Sequence, residues 1–74
     1  MASSAVRFPA TIHTKTGGYY VKRRADLEHL AHTKAKLSVG FIKAADNKVL
    51  FQALWNALEK LGEEPHETIY EGAD

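Results

Sequence analysis

Between residues 5 and 14 apolar and polar positions alternate without a break. Val6, Phe8, Ala10 and Ile12 fall on one side, and Arg7, Pro9, Thr11 and His13 on the other. A period of two is the signature of a half-buried strand. Pro9 has no N–H to give to a ladder, so the strand is expected to be an edge there, or bulged. Thr16-Gly17-Gly18 is a turn signal, because glycine accepts positive φ. Residues 19–23 then read as the returning strand of a hairpin, with either Tyr19 and Val21 or Tyr20 and Lys22 facing outward.

Beyond the hairpin the period lengthens to that of a helix. Residues 25–36 carry Leu27, Leu30 and Ala31 on one stripe, which Leu37 continues, with Lys34 beside it in a position to snorkel. Asp26 near the start and Lys34 and Lys36 near the end suit the helix dipole. Residues 37–45 fit two readings: a strand placing Leu37, Val39 and Phe41 on one face, or a helix capped by Ser38. Gly40 weakens both. The helical or irregular reading is preferred.

The strongest helical pattern runs over 46–61. Val49, Leu50, Ala53, Leu54, Ala57, Leu58 and Leu61 fill about half the circumference, where one supporting layer calls for roughly 100°. Phe51 and Trp55 widen the arc further. Two-sided burial accounts for it, with the hairpin on one flank and Leu27 and Leu30 on the other. The competing account has Phe51 and Trp55 forming a surface for something else to cover. Asp46 or Asn47 caps this helix, Gly62 suits the left-handed residue after it, and Pro65 prevents continuation. Thr68-Ile69-Tyr70 offers a short final strand, and residues 1–4 and 71–74 are expected to fray.

The sum is a single small α+β domain: an N-terminal β-hairpin packed on two or three helices, with room for a short C-terminal strand. At 74 residues it buries only about 60% of its unfolded surface, and without cysteine it has neither disulfides nor a thiolate zinc site. There is no apolar run of signal-peptide or membrane-spanning length, which points to a cytoplasmic protein without a membrane partner.

Charge sharpens the picture. The net formal charge is +1, but nine Lys and Arg face three acidic residues up to Lys48, and one faces six beyond it. Such a chain presents a basic face to an anionic partner, pairs its own two ends, or dimerises head to tail.

No catalytic apparatus is recognisable. Ser3 and Ser4 sit near a terminus, Gly17-Gly18 lacks the Lys-Ser/Thr of a phosphate loop, and so small a chain has little room for a substrate pocket. The expectation is a non-enzymatic protein with no cofactor and no small-molecule substrate. His29 and His32 lie one turn apart, but neither Cys nor a carboxylate completes a metal set with them or with His13, so they read as solvated. A helix-turn-helix over 27–45 is conceivable, yet only Lys43 and Ser38 would reach base edges.

The run Tyr19-Tyr20-Val21-Lys22-Arg23-Arg24 is the best binding candidate, because cations contact phosphates and flat rings stack on bases. The first expectation is therefore a nucleic-acid-associated accessory or regulatory protein using Lys22, Arg23 and Arg24, helped by Arg7, Lys15, Tyr19 and Tyr20. The bland reading of the run is one Tyr in the core, one at its rim and a solvated basic end. The alternative function is a protein-binding inhibitor or adaptor, of the sort phages and mobile elements use to block a host complex. It would act through Phe51 and Trp55 or through one charged face. A third is a homo-oligomeric structural protein that buries those aromatics between subunits. The acidic segment 63–74 reads either as a docking tail or as a solubilising one.

Overall fold

The computed structural model describes residues 6–71, so the expected fraying of 1–4 and 71–74 lies outside the described residues except at Glu71, whose N–H is bonded to the Pro9 carbonyl. Its order is β1 (Ala10–Thr14), β2 (Gly17–Val21), α1 (Arg24–Thr33), α2 (Val39–Ala44), α3 (Asn47–Lys60) and β3 (Pro65–Tyr70). The strands form one antiparallel sheet in the order β2-β1-β3. This is the expected α+β architecture, with hairpin, three helices and final strand all present.

The alternation of β1 holds from Ala10 onward: Ala10, Ile12 and Thr14 are buried, whereas Thr11 and His13 are half-buried on the other face. Two expectations are corrected. The strand begins at Ala10 rather than at residue 5, and β1 is the central strand, so Pro9 lies neither on an edge nor in a bulge; the one irregularity, a register shift against β3, falls between His13 and Thr14. Pro9 escapes the usual penalty because it stands just before the ladder, where its missing N–H is not needed. Its carbonyl still accepts from the Glu71 N–H at 2.9 Å, and the Phe8–Pro9 peptide bond is cis. Val6 and Phe8 keep their predicted side, packing against the core from the lead-in segment. At the turn, Thr14 pairs with Gly17, so Lys15 and Thr16 make the bend and the glycines open β2. Gly17 supplies the positive φ, 148°. A Cβ on Gly18 would come within 3.3 Å of the Ile12 carbonyl oxygen on the paired strand.

The ambiguous stretch is helical, since Ser38 Oγ accepts from the Phe41 N–H at 3.2 Å and caps α2. Asp46 caps α3 by accepting from the Val49 N–H at 2.9 Å. The C-terminus of α3 closes with a pair of bonds, Glu63 N–H to Leu58 C=O at 3.0 Å and Gly62 N–H to Glu59 C=O at 3.1 Å, with Gly62 at φ 80°. These are the two bonds of a Schellman motif, for which a residue without Cβ is best suited. They reverse the chain into β3.

The helices cover one face of the sheet. Ala10, Ile12 and Val21 from the strands meet Leu27, Ala31, Ile42, Leu50, Phe51, Leu54 and Leu58 in a single core. Phe51 stacks on Phe8 at 6.2 Å between ring centroids and meets Tyr70 edge-on at 5.8 Å. Its ring is thus buried between the lead-in segment and the last strand. The wide arc of α3 is covered on two sides, by α1 and by the last strand β3, where the pattern had placed the hairpin; Val49 and Leu61 of that arc stay exposed. No helix among the described residues is long and apolar enough to cross a membrane.

Candidate nucleic-acid interface

Alternation along β2 decides which of its rings a ligand could meet. Tyr19 pairs with Ile12 and shares its inward face, whereas Tyr20 pairs with Thr11 and faces out, 57% exposed. Thr11 also pairs with Ile69, which is 40% exposed. One row across the open face therefore reads Tyr20, Thr11, Ile69, and the next reads Gly18, His13, Glu67. Lys22 and Arg23 continue from the end of β2 and are exposed.

The basic-aromatic run divides into two groups. Tyr20, Lys22 and Arg23 stay together at one end of the open face. Their backbone is held by Asp26, whose Oδ2 accepts from the N–H groups of Lys22 at 3.0 Å and Arg23 at 3.2 Å. Arg23 has no acceptor atom to return that bond to the helix start, so the cap of α1 is one-sided. Fixing both amides leaves both side chains directed from an anchored bend.

The other members have different surroundings. Arg24 turns inward: Nε meets Glu28 Oε2 at 2.8 Å, Nη1 meets Asn47 Oδ1 at 2.7 Å, and Nη2 donates to the carbonyls of Ile42 at 2.8 Å and Ala45 at 2.9 Å. It ties α1 to the α2–α3 junction, so its guanidinium is already occupied. Tyr19 donates its hydroxyl to Glu63 Oε1, and the Lys34 ammonium lies 5.5 Å from its ring centroid. The bond to Glu63 is the main reason the Tyr19 hydroxyl titrates above its ordinary 10.0, with burial adding to it. Lys15 sits at the hairpin turn, about 20 Å from Lys22 at the usual strand rise of about 3.4 Å per residue. There it pairs with Glu64 at 3.8 Å. Arg7 is half-buried ahead of β1, near enough to Tyr70 for its charge to favour the phenolate, though burial still raises that tyrosine's pKa overall.

The alternative anchors also separate. Phe51 is 7% exposed and belongs to the core, whereas Trp55 is half-buried at the rim with Nε1 donating to Glu59 Oε2 at 3.2 Å. The helix-loop-helix of α1 and α2 ends in a helix of six residues whose exposed side chains are mainly Val39, Phe41 and Lys43. His29 and His32 are exposed, and His32 Nδ1 lies 3.0 Å from the Leu37 carbonyl oxygen. No group of three or more metal-ligating side chains gathers among the described residues.

Three contributors carry no mark in the sequence. Glu63 gathers Tyr19, Thr16 at 3.3 Å and Lys34 at 4.0 Å, although nothing local marks it out within an acidic run. Glu67 and Ile69 share the open face with Tyr20, a neighbourhood created by the β1–β3 pairing alone. Neither a family model, a curated protein nor a solved structure matches this chain.

Proposed function

We propose that the protein binds single-stranded nucleic acid on the open face of the sheet, with Tyr20 as the stacking ring and Lys22 and Arg23 as phosphate contacts. The observation that carries this reading is a ring 57% exposed on a face away from the helices, with two exposed cations just beyond the buried Val21. A flat sheet reads bases only once they are unstacked, so a single strand fits it better than a duplex. Glu67 and Glu71 are exposed on the β3 side, and their charge confines an anionic ligand to the β2 half. The site is therefore smaller than the full basic-aromatic run, because Arg24 and Tyr19 are engaged within the fold.

The test is a titration of labelled single-stranded and duplex oligonucleotides at several salt concentrations. Two phosphate contacts on a single strand give a log–log salt slope of about −1.4. Replacing Tyr20 by Ala weakens binding roughly tenfold, in the range of one lost base stack. Exchanging Lys22 and Arg23 for Glu abolishes binding while the circular dichroism stays unchanged. Binding that survives both changes, or no binding at low salt, rejects the proposal. The protein-binding alternative loses Phe51 as its anchor, because that ring is enclosed by Phe8 and Tyr70.

A further inference from the structure

The apolar arc of α3 is not fully spent inside the fold. Ala53 and Ala57 are half-buried and Leu61 is 55% exposed. Together with Leu37 they floor a groove of about 460 Å³ between α3 and the segment after α1, walled by Lys36 and Lys60. Lys34 closes one end, already shared with Glu63 and Tyr19, and no acidic side chain among the described residues lines the groove. Its outer bank is fixed by bonds from Lys34 N–H to Leu30 C=O at 2.8 Å and from Leu37 N–H to Ala31 C=O at 3.2 Å. A basic rim around an aliphatic floor suits an occupant with the opposite pattern, acidic residues flanking an aliphatic one. The floor has no ring on which a base could stack.

That pattern is present on this chain. Along the outward side of β3 and just past it, Glu67, Ile69 and Glu71 alternate and are all exposed. The two carboxylates lie about 14 Å apart at the ordinary strand rise. We infer that the groove receives the Glu67-Ile69-Glu71 ridge of a second copy. Ile69 rests on Ala57 and Leu61, and the two carboxylates meet Lys36 and Lys60. The contact is head to tail, so a pair leaves one groove free on one copy and one ridge free on the other, and association continues into rings or short chains. Both patches are small, below the roughly 1,000 Å² of a stable interface, so the contact is weak and exchanges readily. Its ion pairs are rim-exposed and yield to salt.

The experiment is sedimentation of the full chain over a concentration series at low and high salt. Wild type is expected to exceed 8.2 kDa as concentration rises at low salt, and to return to that mass in high salt. K36E/K60E alone and E67K/E71K alone remain monomeric, because groove and ridge then carry the same sign. Mixing the two restores association, since each groove meets an opposite ridge. The neutral change Ile69→Ser also gives a monomer, which covers the case of a charge variant that fails to fold. A wild type that stays monomeric at low salt overturns the inference, as does a mixture that stays monomeric or a charge variant that associates alone. Lys36 and Lys60 lie on the helical side, away from Tyr20, so K36E/K60E leaves single-strand binding intact and the two proposals fail independently.

Discussion

Replacing Arg24 by Ala separates a structural cation from a ligand-binding one. The guanidinium makes four contacts, three of them to Asn47 and to the Ile42 and Ala45 carbonyls, which hold α1 against the junction of α2 and α3. Hydrogen bonds to a charged group contribute about 1.5–3 kcal/mol each where they are shielded. The Arg24 side chain is 32% exposed, so water replaces part of what is lost. The Glu28 partner is 39% exposed, and that pair adds at most about 0.5 kcal/mol. The expected loss is about 2–4 kcal/mol, against a total of about 4–11 kcal/mol for a domain of this length at the usual per-residue stability. Urea unfolding at pH 7, followed by far-ultraviolet circular dichroism and by Trp55 fluorescence, measures it. The melting temperature should fall by roughly 10–25 °C. Lysine in the same place rescues little, because one ammonium cannot reproduce the planar fork that spans Asn47 and two carbonyls. A loss under about 0.5 kcal/mol accompanied by weaker oligonucleotide binding would instead return Arg24 to the phosphate-contact set.

Two further outcomes are expected. Phe51→Ala costs about 3–5 kcal/mol by leaving a cavity between Phe8 and Tyr70, whereas Trp55→Ala costs about half as much because the indole is only half-buried; equal losses in urea would contradict this division. Tyr19, bonded to Glu63, and Tyr70, partly buried, both titrate above 10.0, so the fold favours their protonated forms. That stability is fully present below pH 10 and declines as pH rises through the raised values. The urea midpoint should fall between pH 9 and pH 11 and fall less in Tyr19→Phe, whereas a flat profile in wild type would remove the tyrosines from the account.

Local patterns carried most of the architecture. Ser38 and Asp46 announce their helices because a cap needs nothing beyond the next turn, and both make the expected bonds. Gly62 likewise marks the end of α3 through local backbone geometry. The place of β1 in the sheet was not readable this way, because Pro9 argues for an edge only if it lies within the ladder, and ladder length depends on β3. The basic-aromatic run was found as a stretch but not as a site. Alternation left open which Tyr faced outward, and only the partner at position 12 or 11 decides it. Arg24 looked like its neighbours because its acceptors, Ile42, Ala45 and Asn47, come from the next two helices and their junction. Charge segregation was visible at once, but its use in cross-pairs such as Lys15 with Glu64 and Lys34 with Glu63 emerged only when the last strand returned beside the first.

That return has a consequence for how the chain is made. The central strand is bonded on one side to its immediate successor and on the other to the last strand in the order. During synthesis, hairpin and helices leave the ribosome before the segment that completes the sheet. Until Pro65–Tyr70 arrives, the long edge of β1 stands open beside an apolar face, a template for any passing strand. Phe51 meanwhile lacks Tyr70, one of the two rings that enclose it. A stall or truncation in the acidic segment therefore yields a sticky nascent chain rather than a slightly shortened domain. Pro65–Tyr70 acts as the latch that turns an aggregation-prone intermediate into a closed fold.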